Sequence, residues 1–472
     1  ILRYLQHVAE RFDLRRDIAF STRVTAATFN EGADSWTVET DRGETLTARF
    51  CIMATGCLST PNRPDIPGLA DFDGPIYQTG LWPHEGVDFT GQRVAVIGTG
   101  SSAIQAIPQI ARQAAQLTVF QRTANFVAPA ANHPMNAEYE NDFKANYRER
   151  RRKMRQGYFG NIAHGQPSSM PSMSVSEAER RALYEQGWRQ GGLGILGSFP
   201  DLLFDRAGNE TLAEFVRGKI REKVANPAVA ELLCPRDHPV GSKRMCIDTG
   251  YFETFNRDNV ELVDLKGEPI ERITAHAIAT SGREFDIDAL VLATGFDAMT
   301  GTLAKIAITG RGGRTLAEEW REGPHAYLGL MVEGFPNLFL VTGPSSPSVL
   351  SNMSVSIEQH VEWIGQCLAA LAARGAATIE ATAEAEQAWA KHAAAVAAPT
   401  VYPDGNSWYT GANIPGKPRA FMAYIGGVPG YRAICEAVTA GGYPGFAIGG
   451  KATAPPADFM ALMAPQEAAE AA

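Results

Sequence analysis

Several kinds of site are missing from this sequence. No C-x-x-C pair and no zinc-finger spacing occurs among its six cysteines, which stand at Cys51, Cys57, Cys234, Cys246, Cys367 and Cys435. This excludes the redox pair that a disulfide reductase needs, and it excludes a zinc finger. Cysteines scattered in this way are typical of reduced thiols in the cytosol, so we expect a cytoplasmic protein.

Long apolar runs and a surplus of basic residues are also absent. No stretch reaches the roughly 18 apolar residues of a membrane-spanning helix, and no signal-peptide pattern occurs. The 43 Lys and Arg residues are outnumbered by 52 Asp and Glu, for a net charge of −9, which argues against a general nucleic-acid binder. The length of 472 residues and the 45% hydrophobic content indicate a globular chain of two or three domains.

The first residues lack the signals that begin a helix. Ile1, Leu5, Val8 and Phe12 would share one helical face, but neither an initiator methionine nor a capping residue precedes them. We therefore expect this chain to be a piece of a longer protein, shortened at its N-terminus.

The periodicity of the remaining chain predicts alternating strands and helices. Strands are expected at residues 23–29, 36–40, 45–50, 93–97, 117–120, 260–264, 284–292 and 338–341, with a short buried strand from Cys51 into Ala54-Thr55-Gly56. Helices are expected at about 102–116 and 352–372. The basic run at residues 148–155 predicts a solvated helical face.

A glycine motif follows the apolar strand at 93–97. The residues Gly98-Thr99-Gly100-Ser101-Ser102-Ala103 fit G-x-G-x-x-G/A between a strand and a helix. The glycines permit a tight turn, and Ser101 and Ser102 would begin a helix whose N–H groups bind a pyrophosphate. A plain structural turn is the alternative, but the flanking elements favour dinucleotide binding.

The next strand lacks the acidic residue that NAD sites place about 20 residues after the glycines. It ends instead in Gln121-Arg122-Thr123. A carboxylate there would repel a 2′-phosphate, whereas a guanidinium can bind it through two hydrogen bonds. The sequence thus favours NADPH, with Arg122 and Thr123 as ligands, unless Arg122 is an ordinary surface residue.

Residues 71–83 follow the pattern F-x-G-x-x-x-H-T-x-x-W-P, with Gln78 in place of the histidine. Further motifs occur in order: Phe120-Gln121-Arg122-Thr123, Gly241-Ser242-Lys243-Arg244, Ala293-Thr294-Gly295-Phe296-Asp297, and the segment from Ser407-Trp408-Tyr409 to Lys417. Together they resemble the Baeyer–Villiger monooxygenases, over nearly the whole chain up to about residue 446. The resemblance is greatest to the members that oxidise phenylacetone, steroids and cyclic ketones.

The resemblance implies an α/β fold with two Rossmann-like dinucleotide-binding domains. Residues 1–61 and 295–450 would form the FAD-binding domain, which lacks the flavin glycine motif and the supporting catalytic aspartate that precede such a helix in the family. Residues 62–294 would form the NADPH-binding domain, with a helical insertion at about 136–235. Residues 451–472 are rich in Ala, Pro and Glu and are predicted to be a disordered tail.

The resemblance also implies the site residues. Arg244 matches the catalytic arginine, a fixed cation suited to developing negative charge. The residues expected to bind the cofactors are Gly98, Gly100, Ser101, Ser102, Arg122, Thr123, Lys243, Gln78, Trp82, Ala293, Thr294, Gly295 and Trp408. Those expected to line the substrate pocket are Cys57, Leu58, Ser348, Val349 and Leu350. We expect no metal.

The implied enzyme uses FAD and NADPH to insert one oxygen of O2 next to a ketone carbonyl, which gives an ester or a lactone. Two alternatives stay open: a flavin monooxygenase that oxidises nitrogen or sulfur, and an inactive NADPH-binding remnant without the flavin motif. The expected partners are a small ketone and O2, without nucleic acid or membrane. We expect a monomer or a weak homo-oligomer.

Overall fold

The computed structural model describes residues 1–162 and 168–463. The strands are β1 Val24–Asn30, β2 Ser35–Thr40, β3 Thr45–Ala48, β4 Cys51–Met53, β5 Ile76–Gln78, β6 Arg93–Ile97, β7 Gln116–Gln121, β8 Val127–Pro129, β9 Cys246–Asp248, β10 Val260–Asp264, β11 Ile270–Ile273, β12 Ala277–Thr280, β13 Glu284–Asp286, β14 Ala289–Leu292, β15 Ala307–Thr309, β16 Leu338–Leu340, β17 Ile379–Ala381, β18 Phe446–Ile448 and β19 Lys451–Ala452.

The α-helices of the described part alternate with these strands. They are α1 Leu2–Arg11, α2 Ser101–Ala111, α3 Ala137–Ala145, α4 Tyr147–Gln156, α5 Glu177–Gln190, α6 Arg206–Lys223, α7 Pro227–Leu233, α8 Tyr251–Thr254, α9 Leu316–Glu319, α10 Met353–Arg374, α11 Ala383–Ala397 and α12 Val428–Ala440. In residues 1–162 and 168–463, no helix is both long enough and apolar enough to cross a membrane.

A five-stranded parallel sheet forms the centre of the middle region, in the order β10-β7-β6-β14-β5. Successive side chains of a strand point to opposite faces. Val94 and Val96 of β6 accordingly pack in one apolar cluster, and Ala95 and Ile97 pack in another. Because both faces are covered, these strands are continuous runs of apolar residues in the sequence. The predicted order of strand, helix and strand is confirmed by β6, α2 and β7.

The strand predicted at residues 284–292 is two strands in different sheets. β13 belongs to the antiparallel sheet β11-β12-β13, whereas β14 belongs to the five-stranded sheet. Glu284 and Asp286 are exposed on either side of buried Phe285, while every residue of β14 is buried. The burial pattern changes where the chain passes from one sheet to the other, so the prediction of a single strand is wrong.

The strands before residue 61 pair with strands after residue 295. The strands predicted at residues 23–29, 36–40 and 45–50 are present as the antiparallel ribbon β1-β2-β3, and β15 adds to it in parallel with β1. β4 pairs in parallel with β16. The prediction that β4 is a buried strand is wrong for one face, because Ile52 is 46% exposed while its neighbour Met53 is 7% exposed on the opposite face.

The basic helix α4 is not simply a solvated face. Arg155 Nη2 lies 3.1 Å from Glu358 and 2.8 Å from Glu362, and Arg151 also pairs with Glu358. Residues four apart share a helical face, so these two arginines both face α10. The prediction of a solvated run is therefore wrong for Arg151 and Arg155, which join the helical insertion to the C-terminal region.

The prediction of a disordered tail from residue 451 is wrong for its first part. β19 pairs with β18, and Phe459 is 5% exposed, with its ring centroid 5.3 Å from that of Trp389. A buried aromatic ring outweighs the Ala- and Pro-rich composition around it. The last residues of the predicted tail, 464–472, lie outside the described residues.

The pairing of half-buried His325 with buried Glu386 predicts a pH-dependent stability. His325 Nδ1 lies 3.0 Å from Glu386 Oε2, and this hydrogen bond raises the pKa of His325 above its ordinary value of 6.5. A raised folded-state pKa gives stability that is complete below pH 6.5 and is lost as the pH rises through the folded value. His325→Gln should lower the Tm by about 2 °C at pH 6 and by less at pH 9.

Calorimetric melting curves at both pH values would test this stability effect. His276→Gln is the matched control, since the side chain of His276 is 77% exposed. A loss of Tm in the His325 variant that is the same at both pH values would contradict the prediction.

Candidate active site

The turn after β6 requires glycine at its first position. Gly98 has a φ of +112°, and a Cβ atom there would lie 2.5 Å from the carbonyl oxygen of Ala293. Gly100 precedes α2, and a Cβ atom there would have no described atom within 4 Å. The approach to the helix start at Ser101 and Ser102 is therefore open. The N–H groups in the first turn of α2 and the positive end of its dipole suit a pyrophosphate.

Gln78 brings an unsatisfied donor to the same edge of the sheet. It ends β5, in register with Leu292 of β14. Its side-chain Nε2 is buried and has no hydrogen-bond partner among the described residues. Leaving a buried donor unpaired costs about 1–3 kcal/mol, so the position fits an acceptor atom on a bound dinucleotide.

The segment after β14 lies beside the proline-rich segment that follows residue 60. The Thr294 hydroxyl donates to the carbonyl of Asn62, and the Asn62 N–H donates to the carbonyl of Gly295 at 2.8 Å. Pro61 and Phe296 form an isolated bridge next to these bonds. The chain enters the region of the parallel sheet near residue 61 and leaves it near residue 295. These two connecting segments are thus hydrogen-bonded to each other.

Trp82 lies at the side of the dinucleotide turn. Its ring centroid is 5.7 Å from that of Tyr77 and 6.2 Å from that of Phe89. Together with Ser102 and Gln105 it lines a groove of about 530 Å³. The indole therefore borders the first turn of α2.

Arg122 and Lys243 come together although they are distant in the sequence. Arg122 follows β7 and is exposed, and Lys243 is half-buried. Burial lowers the pKa of Lys243, Asp237 opposes this effect, and repulsion from Arg122 adds to it. The neighbouring Thr123 carbonyl accepts a hydrogen bond from the Thr99 hydroxyl at 2.8 Å, which fixes the strand end to the glycine turn.

The guanidinium of Arg244 is held by neutral groups. Its Nη1 donates to the carbonyl oxygen of Val349 at 2.9 Å, and it also hydrogen-bonds to the hydroxyl of Tyr409. Burial raises the pKa of Tyr409, and the charge of Arg244 opposes this rise. Among the described residues no carboxylate pairs with Arg244. Arg244 is itself exposed, beside the buried residues Val349 and Tyr409. A guanidinium has five N–H donors, so donors other than Nη1 can reach a ligand.

An apolar cluster adjoins Arg244 and contains most of the predicted pocket residues. Cys57, Val349 and Leu350 are 5–9% exposed and belong to it, and Trp408 packs against it. Its other members include Leu203, Tyr402, Tyr409 and Met422, and Phe159 and Met353 also pack against it. The Cys57 thiol hydrogen-bonds to Ser348, and burial raises the pKa of this thiol.

Two of the predicted pocket residues stand apart from that apolar lining. Leu58 is 44% exposed and does not belong to the cluster. Ser348 is fully buried with φ at +38°, and its hydroxyl lies 3.4 Å from the carbonyl of Thr342. Ser348 therefore supports the shape of its own loop, and its Cys57 contact ties that loop to the segment after β4.

The segment 407–417 is anchored at its far end. Lys417 Nζ lies 2.6 Å from Asp297 Oδ1 and 2.7 Å from the carbonyl of Ala298. Asn413 Nδ2 donates to the carbonyl of Phe296 at 2.7 Å. Glycines, a proline and small polar residues give this segment a composition typical of a mobile loop, but these bonds fix it to the residues that follow Gly295.

No role was predicted from the sequence for Tyr409, Asn413 or Lys417. All three lie within the motif at residues 407–417, so the residues themselves were identifiable. Their partners were not, because Arg244, Phe296 and Asp297 reach them only in the folded chain.

The Lys417 ion pair predicts a change in local stability. The Lys417 side chain is 11% exposed, so Lys417→Met should leave the Asp297 carboxylate unpaired and release the segment 407–417. Amide hydrogen exchange in that segment should become at least about tenfold faster, which corresponds to about 1.4 kcal/mol. Exposed Lys391 provides the control Lys391→Met, and unchanged exchange in the Lys417 variant would contradict the prediction.

Comparison with known proteins agrees with this geometry. Residues 1–161 match the family described as pyridine nucleotide-disulphide oxidoreductase. The chain is 41% identical to a Baeyer-Villiger monooxygenase of Pseudooceanicola batsensis, over 94% of this chain and 81% of that protein. It is 40% identical to phenazine N-monooxygenase PhzNO1 of Lysobacter antibioticus, over 94% of this chain and 82% of that protein.

A solved structure supports the same relationship. Oxidised steroid monooxygenase bound to NADP is 52% identical, with a TM-score of 0.89 over 95% of this chain and 84% of that chain. Such identity over nearly the whole chain establishes common ancestry as well as a common fold. This chain belongs to the Baeyer–Villiger monooxygenases, flavoprotein oxidoreductases that depend on FAD and NADPH.

Proposed function

We propose that this enzyme oxidises a small ketone to an ester or lactone, with Arg244 as its catalytic cation. The observation that carries the proposal is the setting of Arg244: a guanidinium without a described carboxylate partner, held by Val349 and Tyr409 at the edge of an apolar cluster. A fixed charge beside an apolar surface suits a neutral substrate on which negative charge develops during reaction.

The cofactor residues proposed here fit a nicotinamide dinucleotide. The open turn at Gly100 and the unpaired Nε2 of Gln78 offer donors, and Arg122 and Lys243 offer positive charge. The parallel strands β4 and β16 end side by side at their C-terminal ends. In α/β folds, ligands bind at such C-terminal ends of a sheet. When bound, FAD and NADPH supply the electrons and the activation of O2 that amino-acid side chains cannot provide.

Arg244 would act on the oxygen of the ketone. Its five N–H donors form a planar fork, of which Nη1 already donates to Val349. The remaining donors can stabilise negative charge that develops on the carbonyl oxygen during attack. Tyr409 positions the guanidinium, because its hydroxyl is protonated and hydrogen-bonded to it in a buried setting.

The cluster around Cys57, Val349 and Leu350 would accept the carbon skeleton of the ketone. Its buried side chains are apolar or aromatic, so they would keep water from the reacting carbonyl. Trp408 packs on Tyr409 at a centroid distance of 4.3 Å and so borders both the cluster and Arg244. We assign Trp408 to covering the substrate and the nicotinamide end of the cofactor.

The strand pairing supports a two-domain organisation. We propose that residues 1–61 and 295–450 form the FAD-binding domain, to which the ordered residues after 450 add, and that residues 62–294 form the NADPH-binding domain. The pairings of β1 with β15 and of β4 with β16 support the first unit, and the five-stranded parallel sheet supports the second. We propose that the helical segment at about 136–235 is an insertion in the second unit.

We also propose a cytoplasmic enzyme that acts as a monomer or weak homo-oligomer and binds no nucleic acid. The six free thiols and the net charge of −9 support this proposal.

Oxygenation of nitrogen is a second candidate, because one relative is named as a phenazine N-monooxygenase. Incubation with a panel of cyclic, aromatic and steroid ketones, with phenazine and an organic sulfide in parallel, separates the two. Ester or lactone formation supports the ketone proposal. Conversion of phenazine or the sulfide alone would overturn it.

Arg122 predicts the preference for the phosphorylated cofactor. Arg122→Ala should raise the KM for NADPH about tenfold, because a lost charge-assisted hydrogen bond costs about 1.5–3 kcal/mol, and it should leave the KM for NADH almost unchanged. Arg112→Ala, at an exposed arginine after α2, is the control. Equal changes in both constants would show that Arg122 does not read the 2′-phosphate.

Arg244 predicts a loss of coupling between NADPH consumption and oxygenation. Arg244→Ala should bind NADPH normally and lose ester formation by at least about a hundredfold, because a preorganised cation is removed. The reducing equivalents should appear as hydrogen peroxide, measured against ester per NADPH consumed. Arg244→Lys should also be poor, since Lys lacks the planar fork.

The control for this loss of coupling is Arg419→Ala, at an exposed arginine outside the Val349 and Tyr409 contacts. An Arg244→Ala enzyme that forms ester with the coupling of the unaltered protein would rule out Arg244 as the catalytic cation.

A further inference from the structure

A carboxylate and a third cation lie beside Arg122 and Lys243. Lys266 follows β10, whose last residue Asp264 pairs in register with Gln121 at the end of β7. The backbone N–H of Leu265 donates to the carbonyl of Gln121 at 2.8 Å. Because the carboxyl ends of these two parallel strands are adjacent, Lys266 and Arg122 leave the same edge of the sheet side by side.

Asp237 holds Lys266 at this edge. Its Oδ2 accepts a hydrogen bond from Lys266 Nζ at 3.1 Å, and its Oδ1 lies 2.6 Å from His238 Nδ1. Burial would raise the pKa of Asp237, but these hydrogen bonds and the charges around it lower the value to about 2. Burial lowers the pKa of His238, so this imidazole is neutral near pH 7. Asp237 is therefore the charged carboxylate of this group.

The charges of the group do not balance. Arg122, Lys243 and Lys266 are positive and Asp237 is negative, so these four residues together carry a surplus of two positive charges. Like charges repel, and an exposed pair such as Lys266 with Asp237 contributes little to stability. A phosphate monoester carries close to two negative charges at pH 7 and would neutralise the surplus.

We propose that Lys266 is a third cation for the 2′-phosphate of NADPH and that Asp237 keeps it at the site until the cofactor binds. The Lys266 side chain is 59% exposed, so its flexible stem can turn from Asp237 to a phosphate without disturbing the core. This inference rests on the proposed roles of Arg122 and Lys243 and adds a residue to them. It makes Lys266 a determinant of the choice between NADPH and NADH.

Calorimetric titration with 2′,5′-ADP tests the inference without flavin or turnover, and 5′-AMP is the reference ligand. Lys266→Gln should raise the Kd for 2′,5′-ADP about fivefold and leave the Kd for 5′-AMP unchanged. Lys266→Arg should largely restore binding, because it keeps the charge. Lys305→Gln, at an exposed lysine far along the chain, should change neither constant.

An indirect effect through Asp237 has to be separated, because Lys266→Gln also frees a carboxylate that repels phosphate. The substitution is therefore repeated in an Asp237→Asn background, where the Kd for 2′,5′-ADP should again rise about fivefold. No rise in that background, or none in either, would overturn the role of Lys266.

Arg122→Ala separates this inference from the proposed site itself. If Arg122→Ala weakens 2′,5′-ADP binding and Lys266→Gln does not, only the third cation is wrong. If Arg122→Ala has no effect either, the proposed phosphate site is wrong as well.

Discussion

The close approach of Gly98 to Ala293 is the constraint on which the dinucleotide site depends. A Cβ atom at position 98 would lie only 2.5 Å from the Ala293 carbonyl oxygen, so any larger residue would force β6 and β14 apart at their carboxyl ends. Those ends position the glycine turn, the residues up to Gly295 and, through β5, the amide of Gln78. One backbone contact therefore places three parts of the site on one edge.

Arg244 depends on contacts from two other regions of the chain. Val349 belongs to the loop after β16, and Tyr409 belongs to the segment anchored by Lys417 on Asp297. A backbone carbonyl and a phenol hydroxyl, both neutral, orient the guanidinium. Asp297 lies two residues after Gly295. The Lys417–Asp297 ion pair therefore connects the segment that contacts Arg244 to the end of the sheet where the dinucleotide turn lies.

Local composition is a poor guide to exposure and order where tertiary contacts determine them. The arginines of α4 follow a pattern typical of solvent exposure, yet two of them meet Glu358 and Glu362. The segment after residue 450 has the composition of a disordered tail, yet Phe459 is buried against Trp389. In each case the partner lies far along the chain, and local periodicity carries no information about it.

The sequence by itself determined the β-α-β start, the glycine turn and the absence of an acidic residue after β7, because each depends on neighbouring residues. Its ordered motifs also determined the family. Only the tertiary structure decided what surrounds Arg244, which predicted pocket residues share a cluster, and that Leu58 does not. Only the tertiary structure shows that Asp237 and Lys266 lie beside Arg122, because the ends of neighbouring parallel strands become adjacent only when the sheet has formed.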